Sequence, residues 1–239
     1  MQAFYLSRGF ALQGLVIAIA ILMATLFLVA GLGVHDAAIE GGPLERGQEV
    51  ALAAAALFFG ISAVYQRGAG RMAAVGASVL AVVFFLRELE LTGHGPIASM
   101  FNAPHFRIYE AVAICAVALP YIALRWRLIG EHIAYLKELR GWPFVCVAVL
   151  LIIGEAFDGH ATLAGIDYLP MLTEETVEIF AYILFATVGL HVLRNAVALH
   201  RLDVGAHGVE ARAPRGGGTP VRPPRPRRQD RDHQEREPP

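Results

Sequence analysis

Residues 142–160 read WPFVCVAVLLIIGEAFDGH. No charged side chain occurs from Trp142 to Gly154, and no polar alternation with a period of 3.6 or 2 divides the run. A helix lying on a soluble core carries a polar face toward water. This one has none, so hydrocarbon is the surrounding that suits it. The stretch then meets Glu155 and Asp158, three residues apart and therefore on one helical face. An apolar run closed by carboxylates recurs along the rest of the chain.

Crossing about 30 Å of hydrocarbon takes roughly 20 apolar residues in a helix. Helices are also the open-ended structure that satisfies its own backbone groups in lipid. Six blocks fit, at about Phe10–Gly33, Gln48–Tyr65, Met72–Glu88, Arg107–Leu124, Trp142–Gly159 and Glu174–Leu199. Composition agrees with them. Of the 239 residues, 56% are hydrophobic and 17% charged, with a mean hydropathy of +0.50, whereas a soluble domain is about a quarter charged. Cys115 and Cys146 both lie inside blocks, which excludes a disulfide framework. The first block is longer than the core of a signal peptide and no clear Ala-x-Ala site follows it, so it reads as a retained helix. The predicted fold is an all-α integral membrane bundle of six transmembrane helices, occupying residues 1–204.

Basic residues orient such a bundle, because Lys and Arg are enriched in cytoplasmic loops. One set of helix ends carries Arg8, Arg67, Arg71, Arg125, Arg127, Lys137, Arg140, Arg194 and Arg201; the other carries only Arg46, Arg87 and Arg107. Both termini fall on the richer side and are expected in the cytoplasm, with the bundle in the plasma (inner) membrane. Between spans four and five, Arg127–Gly141 reads RLIGEHIAYLKELRG, an amphipathic stretch expected as a short helix on the cytoplasmic leaflet. Residues 205–239 are rich in Gly, Pro and Arg and bury too little apolar surface to offset their ordering entropy, so a disordered cytoplasmic tail is expected. Asp230, Asp232, Glu235 and Glu237 interrupt its arginines and argue against a nucleic-acid partner. The lipid bilayer is the partner that the composition demands.

Once the spans are oriented, the ionisable residues gather at their extracytoplasmic ends. Glu49 opens span two and Arg87, Glu88 and Glu90 close span three. His105, Arg107 and Glu110 open span four; Glu155, Asp158 and His160 close span five; Glu174, Glu175 and Glu178 open span six. At about 1.5 Å per residue, Glu155 lies roughly 20 Å from Trp142 and is expected to sit deepest. Arg87 and Arg107 stand against Glu88, Glu110, Glu155, Asp158 and Glu178, two cations against five carboxylates, or a net of about −3 if all ionise. Such an excess is costly in a low dielectric and calls for a bound cation, water or protons.

Three functional readings follow. The first is a polar cavity near the extracytoplasmic face that binds a cation or small polar ligand. Glu110, Glu155, Asp158, His160 and Glu178 would be candidate ligands for a divalent metal, and Arg87, Glu88, Arg107 and His105 the surrounding charge partners. In its enzymatic form, Glu155 and Glu178 are the catalytic carboxylates of a metal-assisted hydrolysis. The second is a non-enzymatic membrane subunit whose charged layer is a structural salt-bridge network, with Arg87 and Arg107 locking spans three and four through Glu88 and Glu110. In it, Thr173 is an N-cap, and Glu174 and Glu175 complement the dipole of the first helical turn. The third is a small transporter or channel with an acidic outer vestibule. No His-Glu-x-x-His motif and no pair of histidines four residues apart is present.

Overall fold

The computed structural model describes residues 2–4, 6, 9–39, 41–89, 105–137, 141–160 and 162–212. Among them the chain is all-α apart from one minimal hairpin. The helices are α1 (Gly9–Leu32), α2 (Val34–Ala38), α3 (Pro43–Tyr65), α4 (Gly68–Glu88), α5 (Phe106–Leu124), α6 (Ile129–Lys137), α7 (Trp142–Glu155) and α8 (Leu169–Arg212). Between α7 and α8, β1 (Thr162–Leu163) and β2 (Ile166–Asp167) pair antiparallel, Thr162 opposite Asp167 and Leu163 opposite Ile166.

Local chemistry explains several boundaries. Pro43 sits at the start of α3, where its missing N–H costs nothing. Gly68, with φ of +56°, lets the chain reverse between α3 and α4, so those two helices form a tight hairpin. Ala164 and Gly165, both with positive φ, make the hairpin turn; Tyr168, with φ of +61°, follows β2, and Pro170 lies inside the first turn of α8.

The long helix α8 is the axis of the bundle, with α3, α7 and α1 packed around it and α4 against α3. Its buried stripe comprises Ala181, Leu184, Phe185, Val188, Val192 and Ala196. Close approach is achieved with small residues, as in other lipid-embedded bundles. A Cβ on Gly189 would lie 3.2 Å from both Phe58 and Phe59. Across the α3–α4 contact, Ser78 Oγ donates to the Ala56 carbonyl at 2.8 Å.

The bundle has two dissimilar ends. At one, Tyr135 Oη donates to the Phe4 carbonyl and Asn195 Nδ2 to the Ala3 carbonyl, both at 3.0 Å. The rings of Phe10 and Trp142 stand 5.9 Å apart and those of Tyr65 and His200 5.5 Å. This end therefore joins the N-terminal turn, α6, the start of α7 and the last third of α8. The opposite end carries the carboxylates.

Large apolar side chains face outward. Leu12, Leu15, Val16, Ile19, Leu22, Met23, Leu26 and Phe27 of α1 are all exposed, and every described side chain of α5 is exposed or half-exposed. Water would not tolerate such a belt, whereas lipid suits it. Four helical stretches are long and apolar enough to cross a membrane: Gly9–Leu32, Val34–Tyr65, Gly68–Glu88 and Leu169–Asp203. A fifth is possible if Ala111–Leu124 and Trp126–Tyr135, bent by 73° at their junction, make one span. Six were expected. The difference lies chiefly at Trp142–Gly159, where the helix has 14 residues and stops at Glu155. That is about 21 Å of helix, short of the hydrocarbon thickness. The apolar run continued no further than the sequence showed, and residues 156–159 turn instead of extending it.

The amphipathic stretch after span four is helical as α6, bent away from α5. Helix α8 passes through position 205, where the tail is expected to begin, and runs to Arg212; residues 213–239 lie outside the described residues.

Candidate functional site

The carboxylate-bearing end is organised around one guanidinium. Arg87, in the last turn of α4, donates from Nη2 to Glu178 Oε1 and from Nε to Glu88 Oε1, each at 3.1 Å. Its Nη1 lies 3.9 Å from Glu155 Oε2 at the end of α7. Tyr182 Oη, one turn along α8 from Glu178, donates to Glu88 Oε1 at 3.0 Å. Arg87 thus ties α4 to α7 and α8. One positive charge faces three carboxylates.

Burial ranks these groups differently from their order in the sequence. Glu178 is the enclosed one, 4% exposed, whereas the Glu155 side chain is 67% exposed. The expected deep position of Glu155 is corrected by the early end of α7, which leaves this residue at the rim. Gly154 makes the close packing possible, since a Cβ there would lie 3.1 Å from Glu178 Cγ. Phe84, Arg87, Leu151, Ile152, Glu155, Glu178 and Tyr182 line a cleft of about 280 Å³, apolar on one wall and charged on the other.

The other nominated residues are placed as follows. Asp158 and His160 are exposed in the turn after α7, and His160 Nδ1 meets the Asp158 carbonyl at 3.1 Å. His105 is exposed just before α5. Arg107 and Glu110 belong to the helical backbone of α5, but their side chains lie outside the described residues, as do residues 90–104 with Glu90 and His94. Among the described residues no three His, Cys, Asp or Glu side chains are arranged to hold a metal ion. The metal expected from Glu110, Glu155, Asp158, His160 and Glu178 therefore has no assembled ligand set there. At the centre of the cluster its charge is supplied by Arg87. Of the expected lock between spans three and four, the half that involves Arg107 and Glu110 lies outside the described residues, while Arg87 pairs with its neighbour Glu88 and with Glu178 of α8.

Thr173 is not a cap. Helix α8 begins four residues earlier, and Thr173 Oγ1 donates within it to the Leu169 carbonyl at 2.8 Å. Glu174 and Glu175 consequently lie in the second turn, beyond the free backbone N–H groups that would favour them. Glu175 instead accepts a hydrogen bond from Gln48 Nε2 of α3 at 2.7 Å.

Two contributors were not nominated from sequence. Tyr182 lies four residues after Glu178, a spacing that places both on one face and could have been noticed. Gln48 opens the second apolar block beside the more conspicuous Glu49, and only the packing of α3 on α8 distinguishes them: Gln48 is fully buried. Compared with known protein families, curated proteins and solved structures, the chain matches none.

Proposed function

We propose that this chain is a multi-pass protein of the plasma membrane, with both termini cytoplasmic, whose Arg87 cleft binds a small polar or cationic ligand from the extracytoplasmic side. The orientation rests on the basic residues that flank the opposite end of the bundle. The observation that carries the ligand reading is the state of Glu155. Its carboxylate is 67% exposed on the rim of the cleft, and its 3.9 Å approach to Arg87 is too long for a good hydrogen bond. Glu178 and Glu88 already hold two of the guanidinium's nitrogens at 3.1 Å. Glu155 is left as an anion with an apolar wall of Phe84, Leu151 and Ile152 beside it. An ammonium group carried on a short apolar body would satisfy both surfaces, and the aromatic rings of Phe84 and Tyr182 add attraction for a cation.

The test is binding of ethanolamine, choline and putrescine to the purified protein in nanodiscs, measured by calorimetry. Glu155→Gln should weaken the binding of the best probe about tenfold or more while leaving the unfolding temperature near that of the parent, because the residue is exposed. No binding by any probe, or equal binding by both proteins, would defeat the ligand reading.

A second reading is a structural network in a non-enzymatic membrane subunit. It is favoured by the burial of Glu178 and by the bond from Tyr182 to Glu88, which join helices without needing a ligand. It is separated from the first by the Glu155→Gln result: a purely structural cluster leaves that variant indistinguishable from the parent in every ligand assay.

A further inference from the structure

A second polar site lies between α3 and α8, apart from the Arg87 cleft, and its centre is Gln48. Its side-chain nitrogen faces two acceptors at once, Glu175 Oε2 at 2.7 Å and the Glu175 carbonyl at 3.2 Å. Both are oxygens without a hydrogen to give if Glu175 is ionised, so the amide orientation is fixed with Nε2 toward them. That leaves Gln48 Oε1 fully buried and, among the described residues, without a hydrogen-bond partner. A buried orphan acceptor costs on the order of 1–3 kcal/mol, and each one asks for an occupant.

The charges around it say what kind. Glu175 takes part in no ion pair among the described residues. Glu45, one turn before Gln48 on the same face of α3, is buried and within Coulombic reach of Glu175. Its carboxylate accepts the Gly41 N–H. Glu178 and Glu174 of α8 and Glu88 of α4 add further negative charge nearby. Arg87 is committed to Glu178 and Glu88, and Arg46 points outward. A water molecule would satisfy the amide oxygen but leave the carboxylate uncompensated. A cation satisfies both.

We propose that Gln48 Oε1 and the Glu175 carboxylate form a buried oxygen-lined site for a monovalent metal cation of sodium size. Oxygen donors select hard cations, and a ligand set with a single carboxylate lacks the charge that divalent sites recruit. The bound cation would lock the start of α3 against the second turn of α8.

The experiment uses the full chain in nanodiscs, with sodium replaced by N-methyl-D-glucamine at constant ionic strength. Sodium should raise the unfolding temperature saturably by several degrees, because it binds the folded state alone, and ²²Na should bind at one ion per chain. Glu175→Gln and Gln48→Leu should each weaken ²²Na binding about tenfold or more. Direct binding to the parent decides the matter even if one variant fails to fold. Three results would overturn the proposal. One is no saturable ²²Na binding. The second is a response to pH with none to sodium, which would make a proton the occupant. The third is undiminished binding in a folded Gln48→Leu protein. The outcome is independent of the ethanolamine, choline and putrescine assay, since the two sites share no ligand atom.

Discussion

Arg87 and Glu178 meet at 3.1 Å across two helices, one partner half-exposed and the other 5% exposed at its side chain. The asymmetry decides what each substitution does. Removing the guanidinium with Arg87→Met strands a buried carboxylate, whereas Glu178→Gln leaves an accessible arginine that water can solvate. Arg87→Met should therefore cost more, roughly 2–3 kcal/mol against about 1 kcal/mol. The double variant should recover part of the difference. Thermal unfolding of the four proteins in detergent gives the coupling directly.

Gly154 is the counterpart in shape. A methyl group there meets Glu178 Cγ at 3.1 Å, so Gly154→Ala displaces Glu178 from Arg87. Gly154→Val cannot be accommodated without moving α7. The expected losses are about 1 kcal/mol for alanine and 2–3 kcal/mol for valine. Glu155, already at the rim, should remain reactive to water-soluble reagents in both variants.

Tyr182 combines a buried ring with one polar contact. Tyr182→Phe deletes the bond to Glu88 and keeps the ring, for an expected cost of roughly 0.5–1.5 kcal/mol. Tyr182→Ala also empties the space beside Phe84 and should cost about 3–5 kcal/mol. A ratio near one between the two would show that the hydroxyl dominates, contrary to the burial of the ring.

Orientation is open to direct labelling. In a chain with Cys115 and Cys146 replaced by serine, a cysteine at Glu155 should react with a membrane-impermeant maleimide added to intact cells. A cysteine at Arg67 should react only after lysis. The reverse pattern would invert the arrangement and move the Arg87 cleft to the cytoplasmic face.

Much of this was legible in the chain itself. Uniformly apolar runs mark lipid-facing helices because nothing else tolerates them, and four helical stretches long enough to span overlap those runs. The oriented spans gather Arg87, Glu88, Glu155 and Glu178 at one end of the bundle, where the structure has the three carboxylates around the guanidinium. Counting could not say which of them is enclosed. Glu178 is buried because Gly154 admits it, and Glu155 is exposed because α7 ends beneath it; both facts belong to packing between helices distant in sequence. The start of α8 was misjudged for a related reason. Thr173 has the composition of a cap, but the positive φ of Tyr168 begins the helix earlier. Gln48 was invisible for want of charge.

The length of α8 has a mechanical consequence. Its 44 residues extend about 66 Å, roughly twice the thickness of a bilayer's oily interior. Even a strong tilt consumes only some 40 Å of that. In a bilayer of that thickness the remainder of the helix would stand clear of the lipid and hold Arg212 away from the membrane surface.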